Sequence, residues 1–157
     1  MLLLAGWAGD ASTAHARLDS LLQDGSSLAK FAEWVNAQGG DSRIVDDVSL
    51  LPQAPIVSEL PAAARGFVTA IDAREIGLLV GALGAGRERK GDPVDPAVGV
   101  VLDVKVGDRI MAGQPLATVY ARNDASLAAA QARLVSAIRI GSERVEPPPT
   151  IYEILRG

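Results

Sequence analysis

The chain contains no cysteine, which excludes a disulfide framework and thiolate metal sites and fits a reducing compartment such as the cytoplasm. It has a single histidine, His15, set among alanine and arginine with no neighbouring ligand-type residue. No spacing for a transition metal exists, and His15 reads as a surface residue. Aromatic residues make up only 4%, so the core must be built from Ala, Leu, Val and Ile. A basic excess is missing too: with a net charge of −4 and a pI near 4.9, no basic surface that would repay binding a nucleic-acid backbone is expected, and so no nucleic-acid partner. No apolar run is long enough to span a bilayer, and the opening MLLLAGWAG lacks the basic flank of a signal peptide, so no membrane association is expected. That opening reads instead as the last turns of a buried helix ending near Gly6 and Gly9, with Asp10 capping the next helix. A larger architecture is expected before it.

What is present is ordinary for a globular protein. The 157 residues are 48% hydrophobic and 22% charged, enough for one domain or two small ones. Ala14, Leu18, Leu21 and Leu22 recur at helical spacing over residues 12–23, and Gly25 stops the run. Ser26 or Ser27 can cap a second helix through Leu28, Phe31, Ala32, Val35 and Gln38, closed by Gly39 and Gly40. Over residues 41–60, Asp46, Asp47, Pro52 and Pro55 break any periodicity and predict an extended crossover. Residues 67–71 predict a strand. Asp72 then caps a helix through Ile76, Leu79, Val80 and Leu83 that ends at Gly84 or Gly86, and residues 87–95 form a charged loop. A further helix runs from Asp124 to about Ala137 with Leu127, Leu134, Val135 and Ile138 on one face, and residues 138–141 predict another strand. Pro147, Pro148 and Pro149 form a stiff spacer before the apolar run 151–155.

The most informative stretch is residues 99–121, GVVLDVKVGDRIMAGQPLATVYA. Gly107 and Asp108 suit a tight reversal, because glycine accepts positive φ and aspartate bonds its own backbone. Gly113 supplies a second reversal and Pro115 opens the next run. The pattern is strand, turn, short strand, turn, strand. It is similar to the small barrel-sandwich modules that carry biotin or lipoate. Those carriers need a modifiable lysine soon afterwards, and no lysine follows Lys105.

Other chemistry-bearing residues read as structural. Asp46 with Asp47, and Asp92 with Asp95, are the nearest approaches to carboxylate pairs, and both lie beside prolines where turn formation accounts for them. Gly84-Ala85-Gly86-Arg87 has the glycines and charge of a phosphate cradle, but it lacks the associated lysine and follows a helix instead of a strand. It reads as a helix end with a solvated arginine, although Arg87, Arg89 and Lys90 stay a candidate docking patch. No catalytic, substrate-binding, cofactor-binding or metal-binding residue is assigned, and the roles of Arg87, Lys90, Asp92 and Asp95 are left open.

Six blocks in order carry a more specific resemblance: QGGD (38–41), LLPQAP (50–55), RGFVTAID (65–72), GALGAGR (81–87), DPVDPAVGV (92–100) and VGDRIMAGQPLATVYA (106–121). The chain resembles the C-terminal part of the pyrimidine-nucleoside phosphorylases, which include thymidine phosphorylase. The resemblance implies an α+β fold. Residues 1–60 would be the closing helices of an α/β domain plus a linker, and 61–157 a barrel-sandwich-type (α/β-hammerhead) C-terminal module. It implies a cytoplasmic, homodimeric pentosyltransferase that cleaves pyrimidine (deoxy)nucleosides, with phosphate as co-substrate, to free base and (deoxy)ribose 1-phosphate. The family's phosphate loop and base-reading residues fall in upstream segments with no counterpart here, so none is carried onto a numbered residue and no cofactor is assigned. The chain alone is expected to be inactive, its partner being the missing N-terminal and α/β part, with exposed apolar surface at Leu2, Leu3, Leu4 and Trp7 where that part packs. Archaeal AMP phosphorylases have a comparable module, so thymidine, uridine and AMP are not distinguished. A free-standing interaction module on a biotinyl/lipoyl-like fold is the alternative from another class.

Overall fold

Helix starts are set by side chains that satisfy the first free N–H groups. Asp10 accepts from Thr13 N–H at 2.7 Å and opens α1 (Ala11–Gln23). Asp72 and Asn123 do the same for α3 (Ala73–Val80) and α4 (Asp124–Ala137), accepting from Glu75 N–H at 3.0 Å and Ser126 N–H at 2.9 Å. The second helix, α2 (Ser26–Ala37), differs from expectation: Gly25 is its cap, with no side-chain bond, and the Ser26 N–H is held by Asp24. The computed structural model describes residues 1–87, 89–153 and 155. Glu88 of the expected loop and Ile154 of the final apolar run lie outside the described residues. The chain divides into two compact units, Met1–Leu51 and Pro52–Gly157.

In the first unit, the opening residues form one helical turn closed at Gly6, which sits at φ +69°. Gly6 N–H reaches Leu3 O at 3.2 Å and Trp7 N–H reaches Leu2 O at 2.9 Å, the paired bonds that terminate helices. The same device ends α2, where Gly40 N–H bonds Val35 O at 2.9 Å. Two 3₁₀ turns follow, Ser42–Val45 and Val48–Leu50, capped by Asp41 and Asp47. The segment expected as a featureless crossover therefore carries local structure, because each aspartate side chain folds onto the backbone two residues ahead.

The second unit is built on two three-stranded antiparallel sheets. One has the order β1 (Ile56–Pro61), β5 (Pro115–Ala121), β3 (Gly99–Leu102); the other has β4 (Arg109–Ile110), β2 (Gly66–Ile71), β6 (Ile138–Gly141). The fold is α+β, and neither sheet closes into a barrel among the described residues. The late part of the expected crossover is strand β1. Its prolines hide it in the sequence, yet they suit it: β1 is a sheet edge, and Pro61 falls where the register shifts. Inward-facing Leu60, Val68, Leu79, Ile110, Leu116, Val119, Leu134 and Ile138 make one core. Leu127 packs against this core while Val135 is 63% exposed. The expected helical face is corrected to Leu127, Ala130, Leu134 and Ala137, since adjacent residues point about 100° apart. α3 runs on into a wide turn, Gly81–Ala85, with Gly84 at φ +109°.

Candidate functional site

The glycine-aspartate unit of residues 107–113 is a pair of closed reversals. Asp108 accepts Lys105 N–H at 2.7 Å, and the Gly107 N–H bonds Val68 O at 2.8 Å. Gly107 sits at φ +94°, and a Cβ there would lie 3.0 Å from Val145 O and 3.2 Å from Pro147 Cδ, so only glycine fits beneath the chain that crosses it. Gly113 N–H bonds Ala62 O at 2.8 Å, and Gln114 Oε1 accepts Met111 N–H at 3.1 Å. These bonds route the chain from β3 through β4 to β5.

The charged loop after Gly84 is tied to itself. Arg87 Nε donates to Asp92 O at 3.1 Å, and the Asp92 carboxylate accepts Arg89 N–H at 2.7 Å. Asp95 N–H bonds Gly84 O at 2.9 Å, and its carboxylate accepts Ala97 N–H at 3.0 Å and a two-pronged contact from Arg122, whose Nη2 lies at 2.8 Å. The Arg122 hydrogen bond holds the Asp95 carboxyl below its ordinary value, with the Ala97 N–H adding to it. The Asp92 and Asp95 carboxylates thus have separate partners, Arg89 N–H for one and Ala97 N–H with Arg122 for the other. Lys90 is exposed. A second ion pair, Arg133 with Glu75 at 2.5 Å, links α4 to α3 and lowers the Glu75 carboxyl. Sequence reading missed Arg122 and Arg133, because their partners lie 27 and 58 residues away.

The span that holds these elements, residues 67–141, matches the family model for the pyrimidine nucleoside phosphorylase C-terminal domain. Residues 67–141 are thus similar to the C-terminal domain of the pyrimidine-nucleoside phosphorylases. The chain is 43% identical over 147 residues to the pyrimidine-nucleoside phosphorylase of Bacillus subtilis (strain 168), covering 94% of this chain and 34% of that protein. Against the pyrimidine-nucleoside phosphorylase of Geobacillus stearothermophilus it is 40% identical over 153 residues, covering 98% of this chain and 35% of the relative. The chain therefore spans about a third of the length of the curated relatives it matches. Strand β1 lies outside the matched span, yet it pairs along β5.

The remaining candidates fall in the first unit. Asp47 caps a turn, its carboxylate accepting the Ser49 hydroxyl at 2.6 Å and N–H at 3.0 Å, which lowers its pKa; neighbouring Asp46 is exposed. His15 is exposed on α1 beside an apolar cavity of about 320 Å³ lined also by Leu2, Leu3, Ala14 and Leu18. Among the described residues no group of three or more His, Asp or Glu could hold a metal ion, and no helix is long and apolar enough to cross a membrane.

Proposed function

We propose that this chain is the C-terminal portion of a pyrimidine-nucleoside phosphorylase and that its part in the reaction is structural. One observation carries the reading: identity of 40–43% runs along nearly all of this chain but along only a third of the relatives. A second supports it. In Met1–Leu51, Val35 is the one buried hydrophobic residue among those described, whereas Leu4 is 90%, Trp7 64% and Leu22 69% exposed. An exposed apolar face of that extent marks an interface. Its occupant in this reading is the α/β part of the same enzyme.

The chemistry agrees with a structural role. In phosphorolysis a phosphate oxygen bonds to C1′ as the C1′–N bond breaks, and the pyrimidine leaves with the electron pair and takes up a proton. That step needs an anchored phosphate and donors placed on the departing base. Asp95, Arg122, Glu75, Arg133 and Arg87 are each engaged within the module. The whole enzyme would be a cytoplasmic homodimer using phosphate as co-substrate, on thymidine, uridine or a related nucleoside. Residues 61–157 would be its barrel-sandwich-type module, and residues 1–60 the end of the α/β domain with its linker.

A free-standing binding module is the second reading, favoured by one fact: the main hydrophobic core lies wholly within Pro52–Gly157. The coding DNA upstream of the Met1 codon separates the two. A continuing frame that encodes a glycine-rich phosphate loop is expected. A promoter and intergenic gap directly before Met1 would overturn the phosphorylase reading in favour of the module.

A further inference from the structure

The second sheet carries a basic pocket that the structural role does not use. A cavity of about 350 Å³ is lined by Arg65, Gly66, Phe67, Arg109, Ile110 and Ser142. Register explains the convergence. Phe67 on β2 lies directly opposite Arg109 on β4, so their side chains leave the same face, and Arg65 precedes β2 by one residue. On the other side Phe67 pairs with Gly141, which has no side chain to cover it. Gly66 keeps the strands tight, since a Cβ there would lie 2.7 Å from Gly141 O.

Both guanidinium groups lack an ion-pair or hydrogen-bond partner among the described residues, in a chain of net charge −4. Asp108, next to Arg109 in the chain, makes no ion pair with it and accepts the Lys105 N–H through Oδ2 at 2.7 Å. Two exposed arginines, a serine and the half-buried Phe67 thus line one cavity. A carboxylate fills one fork, whereas a phosphoryl group offers enough oxygens for both.

We propose that Arg65 and Arg109, with Ser142, bind the phosphoryl group of a small anion, and that Phe67 forms the wall for its organic part. Inorganic phosphate and a sugar phosphate share this chemistry. The site is independent of the phosphorylase reading, and its test needs no turnover.

The test is a ¹H–¹⁵N NMR titration of the 157-residue chain with inorganic phosphate, with ribose 5-phosphate, and with chloride at matched ionic strength. Saturable shifts at Gly66, Phe67, Arg109, Ile110 and Ser142 are expected with the phosphates and not with chloride. Tighter binding of ribose 5-phosphate would assign the site to phosphate monoesters; equal binding would assign it to free phosphate. R65A/R109A should weaken binding at least about tenfold with the rest of the spectrum unchanged, and R65K/R109K should weaken it less. Absence of saturable shifts, unaltered binding in R65A/R109A, or binding of an acidic peptide in place of phosphate would overturn the proposal.

Discussion

Asp41 illustrates how closely single residues are set by their neighbours. Arg43 donates to both its oxygens, with Nη2 at 2.6 Å, and these bonds lower the carboxyl from its ordinary 3.8 to about 2. A depressed acid stabilises the folded chain above its unfolded value, so this contribution is lost as the pH falls from 3.8 towards 2. Arg43→Ala should return the Asp41 midpoint towards 3.8 in a carboxyl NMR titration; a midpoint still near 2 would contradict the assignment. The two turn glycines give a sharper contrast. Gly113 has φ +83° with nothing within 4 Å of where a Cβ would stand, so Gly113→Ala carries only backbone strain, about 1–2 kcal/mol. Gly107→Ala adds contact with Val145 O and Pro147 Cδ and should be the more destabilising of the two by chemical denaturation, about 2–4 kcal/mol in all. Equal losses would show that the segment above Gly107 gives way freely. Both glycines were legible in the sequence because positive φ is a local demand.

At the scale of elements, helices α1, α3 and α4 are read from their caps and periodicity to within a residue or two at their starts. Local chemistry dictates these boundaries. Strand β1 was not legible, since Pro55 and Pro61 mask the alternation of Ile56, Ser58 and Leu60. Sheet order was not legible either: β4 lies between β3 and β5 in the chain but pairs with β2 in the other sheet. Such pairing depends on long-range contacts that no local pattern encodes. The corrected face of α4 makes a testable pair. Leu134 is fully buried, so Leu134→Ala should cost about 2–5 kcal/mol in a denaturation series. Val135→Ala, at an exposed position, should change stability by no more than about 0.5 kcal/mol. A larger loss at Val135 would restore the face first expected from the sequence.

For the whole molecule, the contrast between the two units matters most. The second has a core of its own; the first buries Val35 and leaves Leu4, Leu22, Trp7 and Trp34 largely exposed. Both tryptophans of the chain, Trp7 and Trp34, lie in that first unit, so tryptophan fluorescence, excited selectively beyond the tyrosine band, reports on that unit. Emission typical of water-exposed indole is expected from the chain by itself, with a shift to shorter wavelength when the N-terminal portion of a pyrimidine-nucleoside phosphorylase is added. Unchanged emission in the presence of that portion would show that this face is not its docking surface. In the proposed reading, the anchoring of the reacting phosphate and the recognition of the base fall to the rest of the enzyme. Base release from uridine or thymidine in phosphate buffer should be followed for the purified chain, first alone and then after reconstitution with the N-terminal two-thirds of the Bacillus subtilis relative. No release is predicted from the chain alone and phosphorolysis from the reconstituted pair, whereas free thymine or uracil produced by the chain alone would contradict the account.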